Sequence, residues 1–233
     1  MTAISIRMAA AGVLLALGLP VPGAAQAPAV VQSDCAGCHA LEQPDYAALG
    51  IAERVERKGP PLHYAGNKFR EEWLVQWLQN PERIRPGGVF APAHTVSTPE
   101  GDTIDPATLI EHPKLDAAQA ETVAGYLMTL QPFDALIAAQ AYEPGTVALR
   151  MGQMNFSKFK GCDSCHQDTF DFGGVSGPEL YTAWQRLQPA FISAYIADPT
   201  AFDPHTIMPQ PGLNSDEVHK LADYLKAVAE AEQ

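Results

Sequence analysis

Charge is scarce in this chain. Only 18% of its 233 residues are Asp, Glu, Lys or Arg, and the basic ones are scarcer still, 15 against 27 acidic. The resulting net charge of −12 makes nucleic acid and anionic membrane poor partners and basic-surfaced proteins reasonable ones. Beyond the N-terminus no apolar run approaches the ~20 residues of a membrane span, so no stable span is expected. No phosphate-binding glycine loop, Ser/His/Asp pattern or nucleic-acid stacking surface can be read. Cysteine is limited to four residues, whereas proline and glycine are plentiful at 20 and 18. That balance suits short helices joined by irregular loops better than a long-helix bundle or an extended sheet. The length allows one large domain or two of about a hundred residues.

Residues 1–25 read as a signal peptide. Arg7 supplies a positive start, Met8 to Leu19 an apolar stretch, and Pro20, Pro22 and Gly23 break it ahead of small residues. Cleavage is expected after Ala25, leaving 14 basic against 27 acidic side chains and a net charge of −13. The expected location is the periplasm, where thiols can also be oxidised.

All four cysteines fall in two pentapeptides, Cys35-Ala-Gly-Cys38-His39 and Cys162-Asp-Ser-Cys165-His166. Covalent haem attachment needs two thiols to add to adjacent vinyl groups and an imidazole that reaches the iron from the same turn. Two intervening residues followed at once by His meet that geometry. With seven histidines in the chain, both pairs would be followed by His by chance with a probability of only about 0.1%. A dithiol, a disulfide or a zinc site leaves the two histidines unexplained. Two covalent haem c groups, each with its iron, are therefore expected, with His39 and His166 as ligands.

The surroundings repeat as well. Each motif is followed by a Gly-Pro segment, Gly59-Pro60-Pro61-Leu62 and Gly177-Pro178-Glu179-Leu180. Next comes an aromatic helix stopped at Asn80-Pro81 or Asp198-Pro199. An amphipathic helix closes each half, one from Asp116 with Gln119 three residues on, the other from Ser215. These repeats divide the chain into a first domain over 26–133, a linker over 134–144 and a second domain over 145–233.

With these residues the chain resembles the class I c-type cytochromes in a tandem, dihaem arrangement. The resemblance implies an all-α fold of two cytochrome c-like domains, each wrapping one covalent haem. It also implies that the carbonyl of Pro178, and of Pro60 or Pro61, orients the proximal imidazole. By the same likeness Pro204-His205-Thr206-Ile207-Met208-Pro209 brings Met208 to the distal face of the second iron, with His205 a surface loop residue. The first half lacks Met-Pro. Its distal position falls on His94 or His112, according to whether alignment runs from the preceding proline or back from the last helix. His112 is slightly favoured, because its His-Pro segment mirrors the methionine loop. A loop over 95–111 separates the two.

The implied function is single-electron transfer between redox partner proteins, by a free carrier or by a subunit of a dehydrogenase or oxidase complex. The alternative is a dihaem redox enzyme, peroxidase-like or thiosulfate-oxidising, with the first haem as catalytic centre.

Overall fold

A computed structural model describes residues 27–231; the signal peptide read at residues 1–25 lies outside the described residues. Among the described residues ten α-helices are arranged in two similar series. The first half holds α1 (Ala29–Asp34), α2 (Ile51–Val55), α3 (Ala65–Lys68), α4 (Glu71–Gln79) and α5 (Ala117–Met128). Helix α6 (Asp134–Ala138) follows. The second half holds α7 (Leu149–Gln153), α8 (Ala183–Arg186), α9 (Pro189–Ala197) and α10 (Ser215–Ala231). Helix α7 runs on as a π-helical turn over Met154–Phe159, directly ahead of Cys162. No helix among the described residues is long and apolar enough to cross a membrane.

Local chemistry explains the helix bounds. Helices α4 and α9 both end one residue short of proline, which lacks the N–H needed to continue and pushes its predecessor out of the helical region. The last helix of each half opens on a reciprocal cap. In α5, Asp116 Oδ1 accepts from the Gln119 amide at 2.9 Å and Gln119 Oε1 from the Asp116 amide at 3.1 Å. Asn214 and Glu217 make the same exchange before α10, both bonds at 3.1 Å. Such a cap contributes about 1 kcal/mol. Beyond the caps, α5 buries Ala120, Val123, Ala124 and Leu127, one stripe of a 3.6-residue period.

The repeat is exact in register over the middle segments. Helices α3 and α4 become α8 and α9 on adding 118 to each residue number. The two copies meet head to head. Phe69 and Leu187 form an isolated antiparallel bridge, the Arg70 amide donating to the Arg186 carbonyl (3.0 Å) and the Gln188 amide to the Lys68 carbonyl (2.9 Å). Side chains follow the same rule. Arg70 Nε donates to the Trp184 and Leu187 carbonyls, and Gln188 Nε2 to the corresponding Gly66 and Phe69 carbonyls. Each of these contacts has its mate on the other side, which defines a local two-fold axis between α3–α4 and α8–α9. A contiguous core, from Val31 through Leu127 to Val228, runs across that boundary. The segment read as a linker is tied into it: Asp134 Oδ1 accepts from Asn67 Nδ2 (2.6 Å) and the Tyr142 hydroxyl donates to Asp223 (2.7 Å).

The expected all-α fold is corrected. Helix accounts for 46% of the described residues, and two small antiparallel sheets accompany it, so the content is mixed α and β. In the first half β1 (Thr95–Thr98) pairs with β2 (Gly101–Ile104) inside the segment expected to be a loop. Thr95, Val96, Thr98, Thr103 and Ile104 are β-branched and favour extended backbone. Gly101 closes the turn with φ +126°, a left-handed value that favours glycine. In the second half β3 (Gln167–Thr169) pairs with β4 (Phe172–Gly173) immediately after the second Cys-x-x-Cys-His motif. The β1–β2 hairpin is an insertion in the first half, and β3–β4 lies between the second motif and its Gly-Pro segment; the helical pattern reaches neither.

Candidate functional site

Each cysteine pair is wound on a single turn. The Cys38 and His39 amides donate to the Cys35 carbonyl at 3.1 and 3.0 Å, and the Cys165 and His166 amides to the Cys162 carbonyl at 3.2 and 3.1 Å. All four cysteines are free thiols; Cys35 is buried, Cys162 half-buried, Cys38 and Cys165 exposed. Burial, with Asp34 beside it, holds the Cys35 thiol above its usual range, and burial with Asp163 pushes Cys162 up to about 11. Both stay protonated at neutral pH.

The imidazoles are locked in one tautomer. His39 Nδ1 lies 2.7 Å from the Pro60 carbonyl and His166 Nδ1 2.7 Å from the Pro178 carbonyl. A carbonyl only accepts, so Nδ1 carries the proton and Nε2 keeps its lone pair. Of the two prolines open in the first half, the bond goes to Pro60. Burial lowers the pKa of both histidines, outweighing the proline hydrogen bond that raises it. Glycine permits the close approach: a Cβ at Gly59 would run into the His39 ring, and one at Gly177 into His166. The residue after each motif completes the clamp, the Ala40 carbonyl accepting from the Leu62 amide (2.8 Å) and the Gln167 carbonyl from the Leu180 amide (2.7 Å).

Beyond His39, α4 places a second imidazole. Phe69, Trp73 and Trp77 stack in a column with centroids 5.7 and 5.6 Å apart, and the Trp77 ring lies 4.6 Å from His112. His112 in turn stands 6.2 Å from His39, centroid to centroid. The His112 Nδ1 donates to the Pro113 carbonyl at 2.9 Å, which leaves its Nε2 with a free lone pair. His94 is turned elsewhere: its Nδ1 meets Thr108 Oγ1 at 2.9 Å and its ring lies against Gly88. Met208 is half-buried in its proline-bounded loop. Its amide donates to Thr206 Oγ1 (3.3 Å), and that hydroxyl meets Tyr195 Oη at 3.2 Å. Tyr195 holds in α9 the place that Trp77 holds in α4, so one helix position in each repeat supports the segment expected on the distal side.

Several residues carried no sequence signal. Arg57 Nη1 reaches across the two-fold boundary to Asp203 Oδ2 at 2.5 Å. Tyr224 donates to the buried Asp168 at 2.6 Å. Tyr46 Oη, both nitrogens of His63 and Nδ1 of His205 are buried without a hydrogen-bond partner. His205, expected on a surface loop, instead lies with its ring 5.2 Å from Tyr46.

Among the described residues no group of three or more His, Cys, Asp or Glu side chains is arranged to hold a bare metal ion. The donors come instead as two thiols and one free imidazole nitrogen on a turn, twice over. That set fits a haem, which brings its own equatorial nitrogens and is tethered through sulfur.

Acid stability follows from the same geometry. Burial lowers the pKa of His39, His63, His112 and His166. Below about 6.5 the unfolded chain therefore binds protons that the folded chain refuses. The stability contributed by keeping these rings neutral is complete above that pH and is lost as the pH falls through the lowered folded values. Melting temperature should be flat from pH 8 to 7 and decline towards pH 5. A melting temperature that rises over that interval would contradict the buried-neutral assignment. Comparison of the chain with protein-family models, with curated proteins and with solved structures finds no match.

Proposed function

We propose that the chain is a periplasmic electron carrier with two covalent haem c groups, one on Cys35, Cys38 and His39, the other on Cys162, Cys165 and His166. The observation that supports it most is the duplicated clamp. In both halves a proline carbonyl fixes the Nδ1 proton of the histidine that follows two free thiols. When bound, the haem iron supplies one-electron chemistry.

The chain's residues tether, orient and shield that group. Pro60 and Pro178 set the tautomer and basicity of the proximal rings. His112, in preference to His94, would hold the first haem together with His39, and Met208 the second together with His166. A thioether favours the ferrous state relative to imidazole, so the second haem has the higher potential. The acidic surface steers the carrier towards basic-surfaced redox partners. A catalytic first haem would need an open distal side, and the His112 ring facing His39 favours electron transfer over that reading.

Mass spectrometry of protein made in a host with haem-attachment machinery tests the proposal. The mature chain should begin after Ala25 and carry two haem additions that survive denaturation. A mass equal to the bare polypeptide would overturn it.

A further inference from the structure

Large apolar side chains left in solvent are unevenly shared between the two halves. Nine are exposed among the described residues, and six of these belong to the second half: Leu149, Met151, Phe159, Phe170, Phe172 and Ile207. Three are phenylalanines that bracket the second Cys-x-x-Cys-His turn. Phe159, 67% exposed, ends the π-helical turn just ahead of Cys162. Phe170 and Phe172, 76% and 60% exposed, flank Asp171 in the β3–β4 hairpin, which begins on the residue after His166. Single exposed apolar residues are ordinary, whereas several large rings around one turn mark a contact surface.

The hairpin is held against the turn through its backbone. The Gly174 amide donates to the Asp163 carbonyl at 2.7 Å. A Cβ at Gly173 would run into the His166 carbonyl, and one at Gly174 into the Ser164 carbonyl. Phe170 is steadied by Tyr181, edge-on at 6.1 Å. The rings are thus carried at fixed places beside Cys165, the exposed thiol of its pair. Charge in the same segment is acidic. Across 161–176 the charged side chains are Asp163, Asp168 and Asp171, and of these Asp168 is buried against Tyr224. Lys158 and Lys160 precede the turn, the second of them paired with Glu217 at 2.6 Å. The first motif is built differently. Gln32 stands where Phe159 does, no phenylalanine lies between His39 and Gly59, and seven of residues 40–58 are charged, of both signs.

We propose that the face carrying Phe159, Phe170 and Phe172 is the docking surface for an electron-accepting protein whose own contact face is apolar at its centre and rimmed by Lys or Arg. The proposal rests on the dihaem reading above. Aromatic rings bury much area while ordering few rotatable bonds, which suits the centre of an interface. Asp163 and Asp171 attract a basic rim. The same charges oppose a second copy of this chain, since two molecules of net charge −12 repel each other. Ligation gives the direction. Electrons settle on the haem of higher potential, the one with Met208, so they leave from the second half. One electron passes to the acceptor's metal centre, the second haem iron returns to the ferric state, and no bond forms or breaks.

Stopped-flow oxidation of the reduced holoprotein tests this, with two attached haems first verified by mass. The probe is a small blue-copper protein with a lysine-rimmed apolar face and a potential above both haems. Ferricyanide, which needs no docking face, is the control oxidant. The Phe170→Ser/Phe172→Ser double variant should lose about tenfold in its second-order rate with the copper protein. Its midpoint potentials and its ferricyanide rate should stay at wild-type values. The wild-type rate with the copper protein should fall as salt is added, and Asp171→Lys should be slower at low salt and less salt-dependent. Ile51→Ser, which removes an exposed apolar side chain of the first half, should leave every rate unchanged. A double variant that keeps the wild-type rate, an equal loss in Ile51→Ser, or a wild-type rate indifferent to salt would each overturn the docking surface and leave the dihaem reading intact. Bare polypeptide would instead overturn the dihaem reading. Sedimentation adds the remaining arms. A wild-type dimer that the double variant dissolves would assign the face to a second copy. Adsorption to phosphatidylcholine vesicles that the double variant loses would assign it to a membrane. Either result would overturn the acceptor surface.

Discussion

Replacing His112 with alanine is expected to turn the first haem of the oxidised protein from low spin to high spin and to leave the second unchanged. About half of the low-spin electron paramagnetic resonance intensity should be lost. The expectation comes from distance: the His112 ring faces His39 at 6.2 Å, backed by Trp77 at 4.6 Å. Alanine leaves no donor there, and the Trp77 ring supplies none that could take its place. His94→Ala is the control, because its Nδ1 bond to Thr108 holds it apart from His39. A high-spin conversion in His94→Ala, with His112→Ala silent, would reverse the assignment. A wild-type first haem that is already high spin and binds cyanide readily would remove both histidines and put the catalytic reading first.

Gly177→Ala should damage both fold and second motif severely. The added methyl would strike the His166 ring and stand 2.9 Å from the Cys165 carbonyl oxygen, which is backbone and cannot swing aside. Overpacking of that kind costs about 1–3 kcal/mol, and losing the histidine–proline bond about 1 more. Denaturant unfolding should register a loss of about 2–4 kcal/mol, and most molecules should carry one haem instead of two. Gly59→Ala should act alike on the first motif. Gly125→Ala is the contrast. It lies within α5 with nothing inside 4 Å of a new Cβ, so the change should be neutral or stabilising by up to about 1 kcal/mol. Equal melting of Gly177→Ala and Gly125→Ala would mean that the clamp carries no strain.

Much of this molecule is written in short-range chemistry, and that part reads directly from the residues. The two Cys-x-x-Cys-His turns are complete within five residues. The stops of α4 and α9 depend on Pro81 and Pro199, and the start of α5 on Asp116 and Gln119, all acting within one helical turn. The order of repeated segments follows because each pattern occurs twice. What escaped is set at longer range. The β1–β2 and β3–β4 hairpins, which overturn the all-α expectation, fall between the repeated segments, where β-branched and turn residues carry no helical period. Pro60 and Pro61 are indistinguishable until the chain returns to bring one carbonyl to His39. Alignment favours His112 over His94 only slightly, since the hairpin between them shifts the register. Only packing against Trp77 turns His112 towards His39. The Phe69–Leu187 bridge and the Arg57–Asp203 pair join residues more than a hundred positions apart. No local pattern encodes such meetings, because they exist only once the two repeats have docked about their shared axis.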